Sequence, residues 1–334
     1  MIGPLSALVG TAALLAVWMA LGALVFGLGM MVHRILRTPD AEIDAAITCW
    51  LGVAFACTVL LAWNFVAPIN GVASSTLLIA GWGWCVATRR KFASACRAGV
   101  TTLGRTGLLI AIGYGMWLAN HARGPLINWD SGAYHIQAVR WAEAFPAVPG
   151  LANLDYRLGH QSASFLYYAA MDAGPLRGQA HHFANGFCLL LLGVGSLIGI
   201  FRYFRADRGS VLELTIHASA LTVAVSYVAV DDGVASFVTD IPATAVGFVM
   251  SSAFASDLAG CDRGSPEIEL GAGGGHRDSG EPMDGLDAAS SRFSLSRPCS
   301  GRGACRAAGW IDRRSFRCNC GISPVSICRA AISC

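Results

Sequence analysis

Apolar residues fall in long blocks along this chain, and the blocks predict its helices. A helix that crosses a bilayer needs about 20 mostly apolar residues. Seven stretches meet or approach that length: residues 5–32, 45–66, 72–87, 106–120, 182–204, 211–230 and 235–255. The first is too long for a signal-peptide core and has no basic segment before it, so it reads as a retained span. The predicted fold class is all-α, a polytopic membrane helical bundle of about seven spans. Asn70-Gly71, after Pro68, predicts a tight turn between the second and third.

One long polar segment interrupts this pattern, residues 128–168, opening Asn128-Trp129-Asp130-Ser131-Gly132-Ala133-Tyr134-His135. Within it, residues 133–145 have helical periodicity, with Tyr134, Ala138, Trp141 and Phe145 on one apolar face. Asp130 or Ser131 suits the N-cap, and Pro146 followed by Pro149-Gly150 ends the helix. The aromatic face fits either a helix lying in the membrane interface, where Trp and Tyr are favoured, or a packed surface helix. The expected organisation is four spans in residues 1–120, an extracytoplasmic loop with the candidate site in 121–181, three spans in 182–256, and a disordered Gly/Arg/Cys-rich tail in 257–334.

Charge gives the bundle a predicted orientation. Ten lysines and arginines follow the first, third and fifth stretches, against Arg123, Arg140, Arg157 and Arg177 on the other side. The positive-inside rule then sets the N-terminus, the polar loop and Asp231-Asp232 outside the cytoplasm.

Composition agrees with a membrane class. The chain is 54% hydrophobic and 13% charged, with a mean hydropathy of +0.52, whereas soluble domains are about a quarter charged. A net charge of +3 with scattered basic residues argues against nucleic acid. The glycines of residues 271–275 are not followed by Gly-Lys-Ser/Thr, so no nucleotide cofactor is implied. Cys49, Cys57, Cys85, Cys96 and Cys188 mostly sit in apolar runs as small hydrophobes. In the tail, Cys318-Asn319-Cys320 and its neighbours make no CxxC pair, which leaves zinc without its usual spacing. The abrupt change of composition after residue 255 reads as a shifted reading frame and a truncated chain.

Four segments carry a resemblance. They are residues 130–135, Gln137-Ala138-Val139-Arg140-Trp141, residues 148–154, and Arg157-Leu158-Gly159. Together they resemble a set of large bacterial membrane proteins with a D-T-G-L-Y-H-type opening and a later V-P-G-L-G-N-L-type segment. Those proteins are in turn similar to the GT-C glycosyltransferase superfamily, whose members use lipid-linked sugars. The likeness is densest over residues 128–170 and extends to about 255 through Asp240-Ile241-Pro242. It departs at Asp155-Tyr156, where His-Gly is usual, and at His160-Gln161, where an aromatic-Asn pair is usual.

The resemblance implies a catalytic acid at Asp130, acting as general base or helping to hold a divalent metal. It implies a polyprenyl-phosphate-linked sugar as donor. Arg157 is the candidate phosphate partner, because guanidinium pairs with phosphate in a bidentate way. His135 and His160 can donate to phosphate or ligate metal, and Tyr134 and Asp240 complete the substrate-binding set. No metal ligands are assigned. The residues also admit plainer roles. Asp130 can be a helix cap, Tyr134 and His135 interface anchors, and Arg157 a partner of Asp155 or of lipid headgroups. His181-His182 reads as a solvated helix end. Asp240 either caps a helix before Pro242 or faces a polar cavity, since an acid near a span is costly otherwise. The expected function is sugar transfer at the bacterial inner membrane, with membrane lipid as partner. The alternatives are a multi-pass transporter and an inactive truncated membrane protein.

Overall fold

The structure is a computed structural model that describes residues 4–39, 44–159, 162–206, 210–230 and 233–264. His160, Asp231-Asp232 and the tail from residue 265, with the cysteines from Cys299 onward, lie outside the described residues, whereas the composition change after residue 255 falls within them. Every regular element among those described is helical. The longer ones are α1 (Pro4–Leu36), α2 (Ala45–Asn64), α3 (Gly71–Ala87), α4 (Arg89–Ala122), α5 (Ile136–Ala144), α6 (Ala163–Met171), α7 (Ala180–Ala206), α8 (Val211–Val230) and α9 (Asp240–Gly264). Five of these, α1, α2, α7, α8 and α9, are long and apolar enough to cross a membrane, or six if α3 and α4 count as one bent span. The chain is a multi-pass membrane protein.

The departures from the expected spans have local causes. The run Arg89-Arg90-Lys91, expected to lie in a loop, is the first turn of α4, and α3 and α4 meet at Thr88 with a bend of 80°. The fourth stretch is therefore the second half of a longer helix, which breaks at Gly104, where φ is +61°. The Arg205 guanidinium donates there to the carbonyls of Thr101, at 2.8 Å, and Leu103, at 3.4 Å. It thereby satisfies acceptors that the break removes from the helical ladder. The seventh stretch starts five residues late: residues 233–239 are turns, and α9 begins at Asp240. Pro242 falls in the first turn of α9, where a missing N–H costs nothing. The last helix also runs on to Gly264, past the expected edge of the tail at residue 257.

Small residues and satisfied polar groups hold the bundle. At Gly27, Gly29 and Gly52 an added Cβ would collide with the backbone of α3, α2 and α1 respectively, so these contacts require glycine. Trp18, fully buried in α1, donates its indole N–H to the Phe183 carbonyl of α7 at 2.9 Å. The Tyr114 hydroxyl of α4 donates to the Leu189 carbonyl at 3.0 Å. In an apolar interior each such bond removes an unpaired polar group that would cost about 1–3 kcal/mol.

The polar segment folds as a layer over one end of the helices. Ile69 N donates to the Ala142 carbonyl at 2.8 Å, Ala147 N to that of Asn64 at 2.7 Å, and Ser74 Oγ to that of Ala170 at 2.8 Å. The α2–α3 turn and the loop between α4 and α7 are thus on the same end, and a bond from Phe237 N to Ser131 Oγ brings the α8–α9 turn there as well. This matches the grouping expected from the alternation of spans.

Candidate functional site

The site begins at a π-helical turn, Ser131–His135, that leads into α5. Such turns are rare and occur often where a side chain must be aimed. The sequence suggested Asp130 or Ser131 as the cap. Instead Asn128 Oδ1 accepts the Ser131 N–H at 3.0 Å, and Asp130 makes no capping bond. That leaves the Asp130 carboxylate free of a local backbone role. The helix stops at Ala144 because Phe145, preceding Pro146, is extended (φ −136°, ψ 152°).

Ser131 ties this turn to the far part of the chain. Its buried hydroxyl accepts the Phe237 N–H at 3.2 Å and lies 3.4 Å from His135 Nδ1. The segment that presents Phe237 is organised by Asn185 of α7, which is fully buried. Asn185 Nδ2 lies within hydrogen-bonding reach of the carbonyls of Gly233 (3.2 Å), Ser236 (3.1 Å) and Val238 (3.1 Å). Its Oδ1 accepts the Tyr168 hydroxyl at 2.6 Å, and that hydroxyl is also 2.8 Å from the Val238 carbonyl. With its carbonyls satisfied by a side chain, the segment can stay non-helical while buried. It delivers Asp240 at the first turn of α9.

Asp130 and Asp240, 110 positions apart, lie on segments that the Ser131–Phe237 bond joins. Both carboxylates act electrostatically on Tyr134 and on His135. Burial raises the Tyr134 phenol above its ordinary value, Asp130 and Asp240 add to the rise, and Arg157 opposes it. Burial lowers His135, and the two acids pull it back up. The His135 ring is buried, 4.3 Å from Tyr134 and 5.4 Å from Phe165 between centroids. It is therefore more a packed member of the site wall than an exposed interface anchor.

Arg157 completes the group. Its guanidinium lies over the rings of Trp129 (5.4 Å), Tyr156 (5.3 Å) and Tyr134 (6.0 Å). Its Nε donates to the Tyr156 hydroxyl at 3.1 Å. Asp155 Oδ1 accepts the backbone N–H of Arg157, at 2.9 Å. The structure thus sets Tyr134, His135 and Arg157 side by side, with Asp130 next to Ser131 and Asp240 three residues after Phe237; His160 falls outside the described residues.

The apolar face of α5 turns inward. Ala138, Trp141 and Phe145 line a cavity of about 30 Å³ with Asn64, Phe165 and Leu166, room for about one water. None of Asp130, Tyr134, His135, Arg157 and Asp240 lines it. On the other side of the layer, Glu143 hydrogen-bonds Asp172, and its Oε1 is buried without a hydrogen-bond partner. Burial first, then Asp172, pushes Glu143 up to about 7 against the pull of Arg177 and Arg140. His181 and His182 are not a solvated end. They are half-buried with rings 3.9 Å apart, and His182 Nδ1 bonds the Ala122 carbonyl at 2.9 Å.

No group of three or more His, Cys, Asp or Glu among the described residues could hold a metal ion. Mg²⁺ is commonly held by one or two carboxylates with waters and substrate phosphates.

Sequence reading missed Asn185, Tyr168 and Ser131 as the parts that hold the site. Asn185 sits in an apolar run and gives no sequence signal beyond being an amide there. It also passed over Glu213 and His217, ionisable groups inside the sixth apolar stretch. Ser256 Oγ donates to Glu213 at 2.6 Å, and Ser252 Oγ is 3.2 Å from His217 Nε2.

A family model described as a domain of unknown function, DUF8201, matches residues 12–262, and the chain belongs to that family. No curated protein matches the chain. No solved structure matches it.

Proposed function

We propose that this DUF8201 chain is an integral-membrane glycosyltransferase-like protein of the bacterial inner membrane. It crosses seven times with its N-terminus outside. It transfers a sugar from a polyprenyl-phosphate donor to an acceptor on the extracytoplasmic side. The observation that carries this reading is the Ser131–Phe237 bond, which joins the turn beside Asp130 to the segment that leads into Asp240, with Arg157 over the Tyr134 ring. Asp130 removes the proton from an acceptor hydroxyl. The hydroxyl oxygen bonds the sugar's anomeric carbon as the bond from that carbon to the phosphate oxygen breaks. The electron pair leaves with the polyprenyl phosphate, and Arg157 offsets the negative charge that develops there. Tyr134, held protonated, donates a hydrogen bond, and Asp240 orients sugar hydroxyls.

The test is Asp130→Asn in reconstituted membranes, assayed by transfer of labelled sugar from a polyprenyl-phosphate donor. The expected loss is about 100-fold or more. Unchanged transfer would remove Asp130 from the mechanism.

A second reading is supported by Glu213 and His217. Ionisable residues inside spans are the mark of a transport path, and these two pair with Ser256 and Ser252 across α8 and α9. It predicts solute flux in proteoliposomes that His217→Ala abolishes, with no glycan product.

A further inference from the structure

The end of the bundle that carries the acids is studded with large apolar side chains. Phe65 and Val66 in the α2–α3 turn are 70% and 80% exposed. Ile127 and Trp129 after α4 are 55% and 71% exposed, and Leu154 and Tyr156 are 75% and 66% exposed. Phe65, Val66, Ile127 and Leu154 lie in turns and loops, Trp129 in the helical residues just before Ser131 and Tyr156 in a short 3-10 helix, all outside the helices long and apolar enough to cross a bilayer. Water around them would carry a cost of about 25 cal/mol per Å² of apolar surface.

The residue at the centre decides what covers them. Arg157 lies over the rings of both Trp129 and Tyr156, so the two loops form one patch with a fixed cation in its middle. Its Nε bond to Tyr156 and its backbone bond to Asp155 hold it there. Aliphatic side chains, Trp and Tyr around an arginine match the layer between acyl chains and phosphates. Amphipathic rings settle at that depth, and guanidinium pairs with lipid phosphate. A protein partner would be expected to bring an acid to Arg157, and a sugar would have no use for Ile127 and Leu154.

We infer that the loops bearing Ile127, Trp129, Leu154 and Tyr156, with Arg157 at their centre, are seated in the phospholipid headgroup layer. They anchor the acid-bearing end of the protein at that depth. This surface replaces the α5 aromatic face, which packs against α6, as the point of contact with lipid. It also places Trp129, the neighbour of Asp130, where a lipid-borne phosphate would arrive without leaving the bilayer. The anchoring does not depend on sugar transfer.

The experiment uses the full chain in vesicles of phosphatidylcholine and phosphatidylglycerol whose acyl chains are brominated close to the headgroup. Tryptophan emission is compared between wild type and Trp129→Phe. The emission lost in the variant is expected to be the part that bromolipid quenches and aqueous iodide does not. Tyr156→Trp places a reporter on the other loop and is expected to add bromolipid-quenched emission. If the Trp129 and Tyr156→Trp signals are quenched by iodide and untouched by bromolipid, the inference is overturned. It is equally overturned if a soluble oligosaccharide shields them from iodide while bromolipid has no effect. No sugar donor is present in the quenching measurement, so its failure leaves the role of Asp130 standing.

Discussion

Glu143 and Asp172 touch, whereas Asp130 and Asp240 sit on two segments joined by the Ser131–Phe237 bond. In the first pair the two carboxyls hydrogen-bond, and one Glu143 oxygen is buried without a partner. Asp172 is committed to structure, since its Oδ1 accepts the Ala180 N–H at the start of α7 at 3.0 Å. Two acids in hydrogen-bonding contact need a proton between them. Such a pair is a joint, spent on fastening α5 to α7. In the second pair both acids act electrostatically on the Tyr134 phenol and the His135 imidazole, and Asp130 also on Arg157. The difference separates a carboxyl pair committed to structure from two acids that share no such bond.

The comparison can be broken most forcefully at Asn185. Asn185→Ala would leave the carbonyls of Gly233, Ser236 and Val238 without their side-chain donor. The expected loss is about 3 kcal/mol, read as a lower midpoint of thermal unfolding in detergent. An unchanged midpoint would mean that the segment holding Asp240 does not need its clamp. Ser131→Ala removes the acceptor for Phe237 N and is expected to cost about 1.5 kcal/mol. Hydrogen exchange should rise at residues 233–239, and exchange confined to α5 would show that the two halves are not joined there.

The Glu143–Asp172 joint predicts a pH dependence. Glu143 is raised from its ordinary 4.5 to about 7 in the folded protein. Between those values the folded state keeps a proton that the unfolded chain has lost, so stability falls as pH rises through that window and levels off above it. Glu143→Gln keeps the hydrogen bond without the charge. It should flatten that part of the curve and stabilise the protein at pH 8 by about 1 kcal/mol, after discounting for solvent around the pair. A parallel pH curve for the variant would assign the dependence to other groups. The smallest effect on stability is expected for Arg157→Lys, with the midpoint of thermal unfolding unchanged. An ammonium lacks the planar fork, so binding of polyprenyl phosphate should weaken by about tenfold. Equal binding by calorimetry would reduce Arg157 to a point charge.

Much of the architecture was legible because lipid demands long apolar runs, and α1, α2, α7 and α8 begin and end within a few residues of theirs. That Asp130 and Asp240 share one end of the bundle was partly legible as well. Alternating spans place the loop after α4 and the turn before α9 on the same end, before any contact is known. What the pattern could not carry was backbone satisfied by side chains. Residues 235–239 look like the start of an apolar helix, but Asn185 holds their carbonyls and keeps them as turns. Arg205 does the same at the Gly104 break. The cap was misread for a related reason. Asp, Ser and Asn are all good caps, and only the geometry of the π-helical turn selects Asn128 over its neighbours.

The bond between Ser131 and Phe237 has a consequence for biosynthesis. It spans 106 residues, and its second half precedes the last crossing helix. At ordinary translation speeds Ser131 emerges on the order of ten seconds before its partner. During that interval the π-helical turn and Asp130 are already made, while the wall that carries Asp240 does not yet exist. Any activity that needs both acids is therefore withheld from the nascent chain until α9 begins to enter the membrane.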